Sequence, residues 1–358
     1  MYKVFLYAAG VYLALLLVVC VLAASVGYAS KENPIDMPES VPEVVAKEES
    51  FSIASQPLLF VGDIMMGRNV EREMGAQGAA YPTAYIRDFL SSYPFVIANF
   101  EATIPRRHVP TPSMTFQFSV ATSVIPMLVE SGFTHMTLAN NHAYDYGKAG
   151  YLHTMTTLRE QGVVTGGSPE QVTKDDVLVI DAEGMRVALV PIYAVFATPS
   201  MTALAEAFAY AQTVSDVQVA VIHWGDEYMI TNNAKQARVA HQVVDLGADA
   251  VIGHHPHVIQ NIELYRSVPI FYSLGNFIFD QYWNSEVKTG LAVSLARKGD
   301  MLEYALFPVF SERSNPRILE GFERETVLKT LASVSDESLS ESVAQGGFSV
   351  PFPFLASE

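Results

Sequence analysis

The chain has 358 residues, 50% of them hydrophobic and 17% charged, which fits a globular body of one large or two smaller domains plus one membrane-type segment. Its 22 basic and 38 acidic residues leave a formal charge of −16. That balance argues against nucleic acid as a partner, since phosphate backbones need clustered Lys and Arg, and against docking on anionic lipid; it reads as solubility.

The first element is apolar. Val4 to Ser30 carries no charge, and at ~1.5 Å per residue it outreaches a hydrocarbon core of roughly 30 Å. Residues 1–30 are therefore expected to form a retained transmembrane signal anchor, with secretion after cleavage among the small residues of AASVGYAS as the alternative. Cys20, the one cysteine, falls inside this segment, so no internal disulfide is expected in the body. Val19 precedes it where a lipoprotein signal takes a small residue, which speaks against lipidation. The expected location is the cell membrane, single-pass, with the body extracytoplasmic. Residues 31–50, KENPIDMPESVPEVVAKEES, are rich in Pro and Glu without apolar periodicity and read as a flexible tether.

The body is expected over residues 51–330. Seven apolar runs read as buried strands: PLLFVGD (57–63), PFVIANFE (94–101), THMTLANNH (134–142), RVALVPIY (186–193), VQVAVIHW (217–224), ADAVIGHHPH (248–257) and PIFYSLGNF (269–277). Helices are expected at Pro82–Ser92, Ser123–Ser131, Tyr151–Gln161 and Ala234–Leu246, the last stopped by Gly247. Strands alternating with helices imply an α/β fold with strands covered on both faces. Residues 331–358 hold Ser, Gly, Pro and acids but no Lys or Arg, and are expected to be a loose tail unless the closing SVPFPFL packs.

Ligands of open α/β sheets bind outside the carboxyl ends of strands. Five strand ends here supply metal-type donors: Asp63, then Asn99 and Glu101, then Asn140, Asn141 and His142, then His223, then His254, His255 and His257. Such a mixed oxygen and nitrogen set suits one or two divalent ions, Mn, Fe or Zn. His255-Pro256-His257 puts two imidazoles on one short loop, where each could serve a different metal of a close pair that clamps a phosphoryl transfer. Taken singly, each piece has a plainer reading: a Gly-Asp turn, a core histidine, an Asn-Asn cap. Five strand ends together favour the site. Asp145 either fixes the His142 tautomer or caps a helix. Arg68 either clamps an anion or braces its loop. Trp224, Tyr228 and Trp283 are candidate wall aromatics, while His108, His135, His153 and His241 read as structural.

Through FVGDIMMGR, ANFE, LANNHAYDYG, HWGDEY, GADAVIGHHPHVIQ and IFYSLGNFIFD, from about Leu58 to Asp280, the chain resembles the CapA family of capsule and poly-γ-glutamate biosynthesis proteins, which is related to the calcineurin-like metallophosphoesterases. The resemblance implies a four-layer sandwich of two β-sheets flanked by helices. It also implies Asp63 and His257 on one metal, Asn141, His223 and His255 on the other, Glu101 bridging, and His142 protonating a leaving group. Asn276 of the last motif joins the site candidates. Two positions depart from the superfamily pattern. Met65 stands where Asp-x-His has its histidine, and Glu101 of ANFE where the bridge is an Asp. The implied functions are a membrane-tethered hydrolase of phosphate-ester-type bonds or a non-catalytic accessory to polymer synthesis or export. Either would have a cell-envelope polymer or its synthesis machinery as partner.

Overall fold

A computed structural model describes residues 56–112 and 115–353. The expected anchor and tether lie outside the described residues, among which no helix is long and apolar enough to cross a membrane.

Two sheets form the frame. In the first, β1 (Leu58–Ile64), β2 (Phe95–Phe100), β3 (His135–Thr137) and β4 (Val164–Gly166) run parallel. The second holds β5 (Leu178–Ala182), β6 (Met185–Tyr193), β7 (Val217–His223), β8 (Ala250–His254), β9 (Ile262–Tyr265) and β10 (Val268–Phe271). The chain then returns to the first sheet as β11 (Asn276–Ile278), parallel to the end of β1. It completes that sheet with β12 (Thr289–Lys298), β13 (Met301–Glu312), β14 (Asn315–Ile318) and β15 (Gly347–Pro351).

Helices α1 (Arg68–Gln77), α2 (Arg87–Ser91), α3 (Ile125–Glu130) and α4 (Gly147–Glu160) cover the first sheet through Val70, Leu90, Leu128 and Leu158. On the second sheet, α5 (Met201–Val214) and α6 (Ala234–Asp245) pack through Phe208 and Val243. A third core lies between the sheets and is closed by α7 (Gly321–Val334) and α8 (Ser340–Gln345) through Leu328, Leu331 and Val343. Side-chain alternation explains why strands must be apolar throughout. In β6, Val187 and Leu189 enter the inter-sheet core while Ala188, Val190 and Ile192 meet the helices. The outcome is the expected helix–sheet–sheet–helix sandwich.

Four local expectations change. PIFYSLGNF is not one strand but two, β10 and β11, in different sheets, turned at Gly275 with φ 68°. The crossing is tight: a Cβ on Gly62 would collide with the Gly275 carbonyl. The strand expected to run to His142 stops at Thr137, which leaves its polar end free as a loop. The helix expected over 82–92 divides into a 3-10 turn, Tyr81–Thr83, and α2. Finally, of the two expectations for the stretch from 331, the loose tail gives way to packing, through SVPFP of the closing stretch. A boundary at 330 would cut α7, and β15 pairs with β13, Leu302 opposite Val350. Its apolar residues settle the matter physically: Phe348 stacks on Phe271 and Tyr304, and Phe352 is buried.

Candidate metal centre

The donors expected at strand ends converge because β1, β2, β7 and β8 all finish on one edge of the sandwich. Asp63 is the penultimate residue of β1 and is fully buried. Its Oδ1 accepts from Asn99 Nδ2 at 2.8 Å and lies 3.0 Å from His254 Nδ1; its Oδ2 accepts from the His255 backbone N–H at 3.2 Å. Burial alone would raise this carboxyl, but His254 and His257 outweigh it and hold Asp63 well below its usual range. His254 is thus a partner of Asp63.

Glu101, just past β2, is the centre of the arrangement. Oε2 accepts from Asn99 Nδ2 at 3.2 Å. Oε1 is buried without any hydrogen-bond partner, with His257 Nε2 at 3.7 Å and His142 Nε2 at 3.9 Å. Burial pushes this carboxyl well above its usual range. His255 Nδ1 is a second buried atom left bare. Two groups of three side chains bring one donor atom each within 4.8 Å: Glu101, His255 and His257, and Asp63, Glu101 and His223. Glu101 belongs to both. The pairing differs from the one the resemblance implies, since His255 groups with His257 and His223 with Asp63. Asn141 stays beside His223, its Oδ1 accepting from Nε2 at 2.7 Å.

Such a site suits a cation on the chemistry of its atoms. Buried acceptors without partners cost free energy unless something electropositive meets them. Burial pushes His255 down to about 3, with His257 adding to the effect, and burial likewise holds His223 well below its usual range, so both keep lone pairs. His257 moves the other way. Burial opposes its charge, yet Glu101 and Asp63 bring it up to about 9. Asn276 orients it: Nδ2 donates to Gln281 Oε1 and the Val287 carbonyl, both at 2.9 Å, while Oδ1 faces His257 Nδ1 at 3.0 Å. That leaves Nε2 toward Glu101.

His142 stands beside this group with Nδ1 2.8 Å from Asp145 Oδ2. The helix that follows, α4, begins at Gly147 behind Tyr146, so Asp145 contacts the ring and is not the cap. Asn140 braces the loop, donating to Asn99 Oδ1 at 3.0 Å and accepting from the His142 N–H at 3.0 Å.

Other candidates take structural places. Met65 lies in the helix-side core of the first sheet, its sulfur accepting from the Gly67 N–H at 3.1 Å. Arg68 braces loops, bonded to Asp280 and to the Thr115 carbonyl. Trp224 is not a wall residue; it is buried against Tyr272, whose carbonyl takes its indole N–H at 2.8 Å. His241 pairs with Glu263, and His108 bridges Glu71 and Ser119.

Sequence reading missed Phe118. Its ring stacks on His142 at 3.8 Å, its N–H donates to Asp145 Oδ2 at 2.6 Å, and Arg68 covers it at 4.4 Å. No motif marks it, because it arrives from a long loop.

Comparison with known proteins adds to this geometry. The family model described as bacterial capsule synthesis protein PGA_cap matches residues 57–281. The PGA biosynthesis protein CapA of Bacillus subtilis (strain 168) is 30% identical over 295 residues, 77% of this chain and 78% of that one. The capsule biosynthesis protein CapA of Bacillus anthracis is 28% identical over 297 residues, 76% and 72%. A probable polyglutamine synthesis accessory protein of Mycobacterium tuberculosis is 24% identical over 232 residues, 55% and 61%. Among solved structures, a novel phosphatase from Mycoplasma pneumoniae aligns with a TM-score of 0.45 at 12% identity, covering 74% of this chain and 91% of that one.

Proposed function

The chain belongs to the bacterial capsule synthesis family PGA_cap, and from that premise we propose that it is a membrane-tethered, extracytoplasmic metallohydrolase of phosphate-ester-type bonds, serving the assembly of a cell-envelope polymer. The bare Oε1 of Glu101, shared by two donor groups, carries the reading. Asp63, Glu101, Asn141, His223, His255 and His257 would hold one or two divalent ions. A bound Mn, Fe or Zn would supply the positive charge that polarises a phosphoryl oxygen. His142 presents Nε2 to the same space and donates a proton to the leaving oxygen. Asp145 fixes its tautomer, and Phe118 excludes water from one ring face. The uncharged run from Val4 to Ser30 supports the tether.

Elemental analysis of the purified chain beside a His255→Ala/His257→Ala variant tests it. Metal in the wild type, lost in the variant, together with turnover in a screen of phosphate esters, is the expected result. A folded protein that takes up no Mn, Fe or Zn would refute it. A second reading, a metal-binding accessory without turnover, gains from Met65, whose sulfur sits in the core where the superfamily has a ligand. The name of the mycobacterial relative also leans that way. Full metal loading without hydrolysis of any ester would select it.

A further inference from the structure

The wall beside His257 carries chemistry that the hydrolysis does not use. The Tyr228 ring lies 6.2 Å from the His257 ring, and Trp283 meets Tyr228 edge-on at 5.4 Å and 81°. Both rings open to solvent, 43% and 61% exposed. They are nonetheless built in. The Tyr228 N–H donates to the Pro256 carbonyl at 2.8 Å, inside the loop that bears His255 and His257. Its hydroxyl accepts from Gln281 Nε2 at 3.2 Å, and Gln281 Oε1 holds Asn276 at 2.9 Å. Tyr228 takes φ 64°, a left-handed conformation that a bulky side chain adopts at a cost.

Two ring planes at nearly a right angle make an open corner. The loops that carry it, 224–233 and 279–287, contain Asp226, Glu227, Asp280 and Glu286 but no Lys or Arg, and of these acids Asp280 is paired with Arg68. Glu227 immediately precedes Tyr228 in the chain and is exposed beside it. An anion is opposed here. A neutral apolar group gains the rings but nothing from the acid. An ammonium gains from both, since ring faces and a carboxylate attract cations together.

We propose that Tyr228, Trp283 and Glu227 form a subsite for the ammonium-bearing part of the substrate, beside the phosphate ester that the site would cleave. This rests on the hydrolase reading and names its substrate class: a phosphate ester carrying an amine or a quaternary ammonium.

Phosphocholine and its isostere 3,3-dimethylbutyl phosphate, whose head is an uncharged tert-butyl group, differ in head charge at constant shape. Titration calorimetry on the metal-loaded full chain should show phosphocholine bound about tenfold more tightly. Trp283→Leu and Glu227→Gln should each shrink that ratio toward one, and Trp283→Phe should keep most of it. The ratio of kcat/KM for the two esters should follow the same order. Equal affinities in the wild type would overturn the subsite and leave the hydrolase standing. Should neither ester bind or turn over, the hydrolase reading is left to the wider ester screen. Tetramethylammonium alone then decides the subsite: binding that Trp283→Leu abolishes supports it, and no binding overturns it.

Discussion

Glu101→Gln separates what the buried carboxylate costs from what it holds. Its Oε1 has no hydrogen-bond partner, and burial pushes the carboxyl well above its usual range. A carboxyl raised in the folded state contributes stability that is intact below its unfolded pKa, near 4.5, and lost as pH climbs through the folded value. Metal-stripped wild type therefore weakens toward alkaline pH, while Gln, of the same shape and uncharged, escapes that loss. A buried unsatisfied acceptor costs about 1–3 kcal/mol, and a domain of this size shifts by about 2 °C per kcal/mol. In chelator at pH 8, Glu101→Gln should melt about 2–6 °C above wild type, the gap closing toward pH 5. Metal reverses the order. At a thousandfold over Kd a cation adds about 4 kcal/mol to the wild type, and little to the variant. Differential scanning calorimetry with and without chelator reads both arms. A stripped variant that melts below wild type at pH 8 would mean Oε1 is not bare. A variant stabilised by metal as strongly as wild type would remove Glu101 from the centre.

Three further outcomes follow from the fold. Burial holds His135 down at about 4, so acid favours the unfolded chain, whose histidine titrates near 6.5; stability is intact above 6.5 and roughly 3 kcal/mol is lost by pH 4. His135→Leu should lessen the fall of the urea midpoint across that window, with His255 and His223 supplying the remainder, and an unchanged slope would show that His135 contributes nothing to it. Met65→His places a polar ring in the helix-side core, so it should cost about 2 kcal/mol without raising metal stoichiometry; an added equivalent of metal would prove this side chain faces the centre. Gly253→Ala sets a Cβ against the Tyr272 carbonyl and the Trp224 ring, which should cost more than about 3 kcal/mol or yield insoluble protein. Wild-type solubility and urea midpoint would contradict the close approach of β8 to that carbonyl.

The layers and the site edge were legible because they rest on short-range pattern: apolar runs, and donors fixed within the last two residues of a strand or one to three residues past its end. Asp63, Glu101, His223, His255 and His257 needed nothing else. What the sequence hid depended on distance along the chain. PIFYSLGNF looks uniform, yet it changes sheets at Gly275, a turn that makes sense only beside Gly62. β12 and β13 went unread because their alternation is half-polar on β13, and their pairing lies in register with each other and not with any motif. The tail looked loose for a compositional reason, its charge and serines, whereas four apolar side chains at 343, 348, 350 and 352 decide its place. Phe118 needed the loop that brings it to His142, and the orientation of Trp224 needed the sheet that buries it.

Backbone strain sharpens the choice between a working centre and a relic. Among the described residues, non-glycine positive φ occurs at Gln56, just before β1, and in the pairs Arg266–Ser267 and Arg313–Ser314, where tight antiparallel hairpins require it. Four more lie around the centre: Arg68 at 51°, Tyr228 at 64°, His255 at 96° and His257 at 59°. No hairpin explains these four, and each such residue costs of order 1 kcal/mol or more. To that add two bare buried atoms, Glu101 Oε1 and His255 Nδ1. A fold that asked only for stability would gain by a glycine at 255 or 257 and an amide at 101. The costs converge on one space, where the two strained imidazoles and the bare carboxylate come within 4.8 Å. A bound cation would offset the orphaned oxygen and the orphaned nitrogen together, and would give the strained loop a use as a preformed clamp.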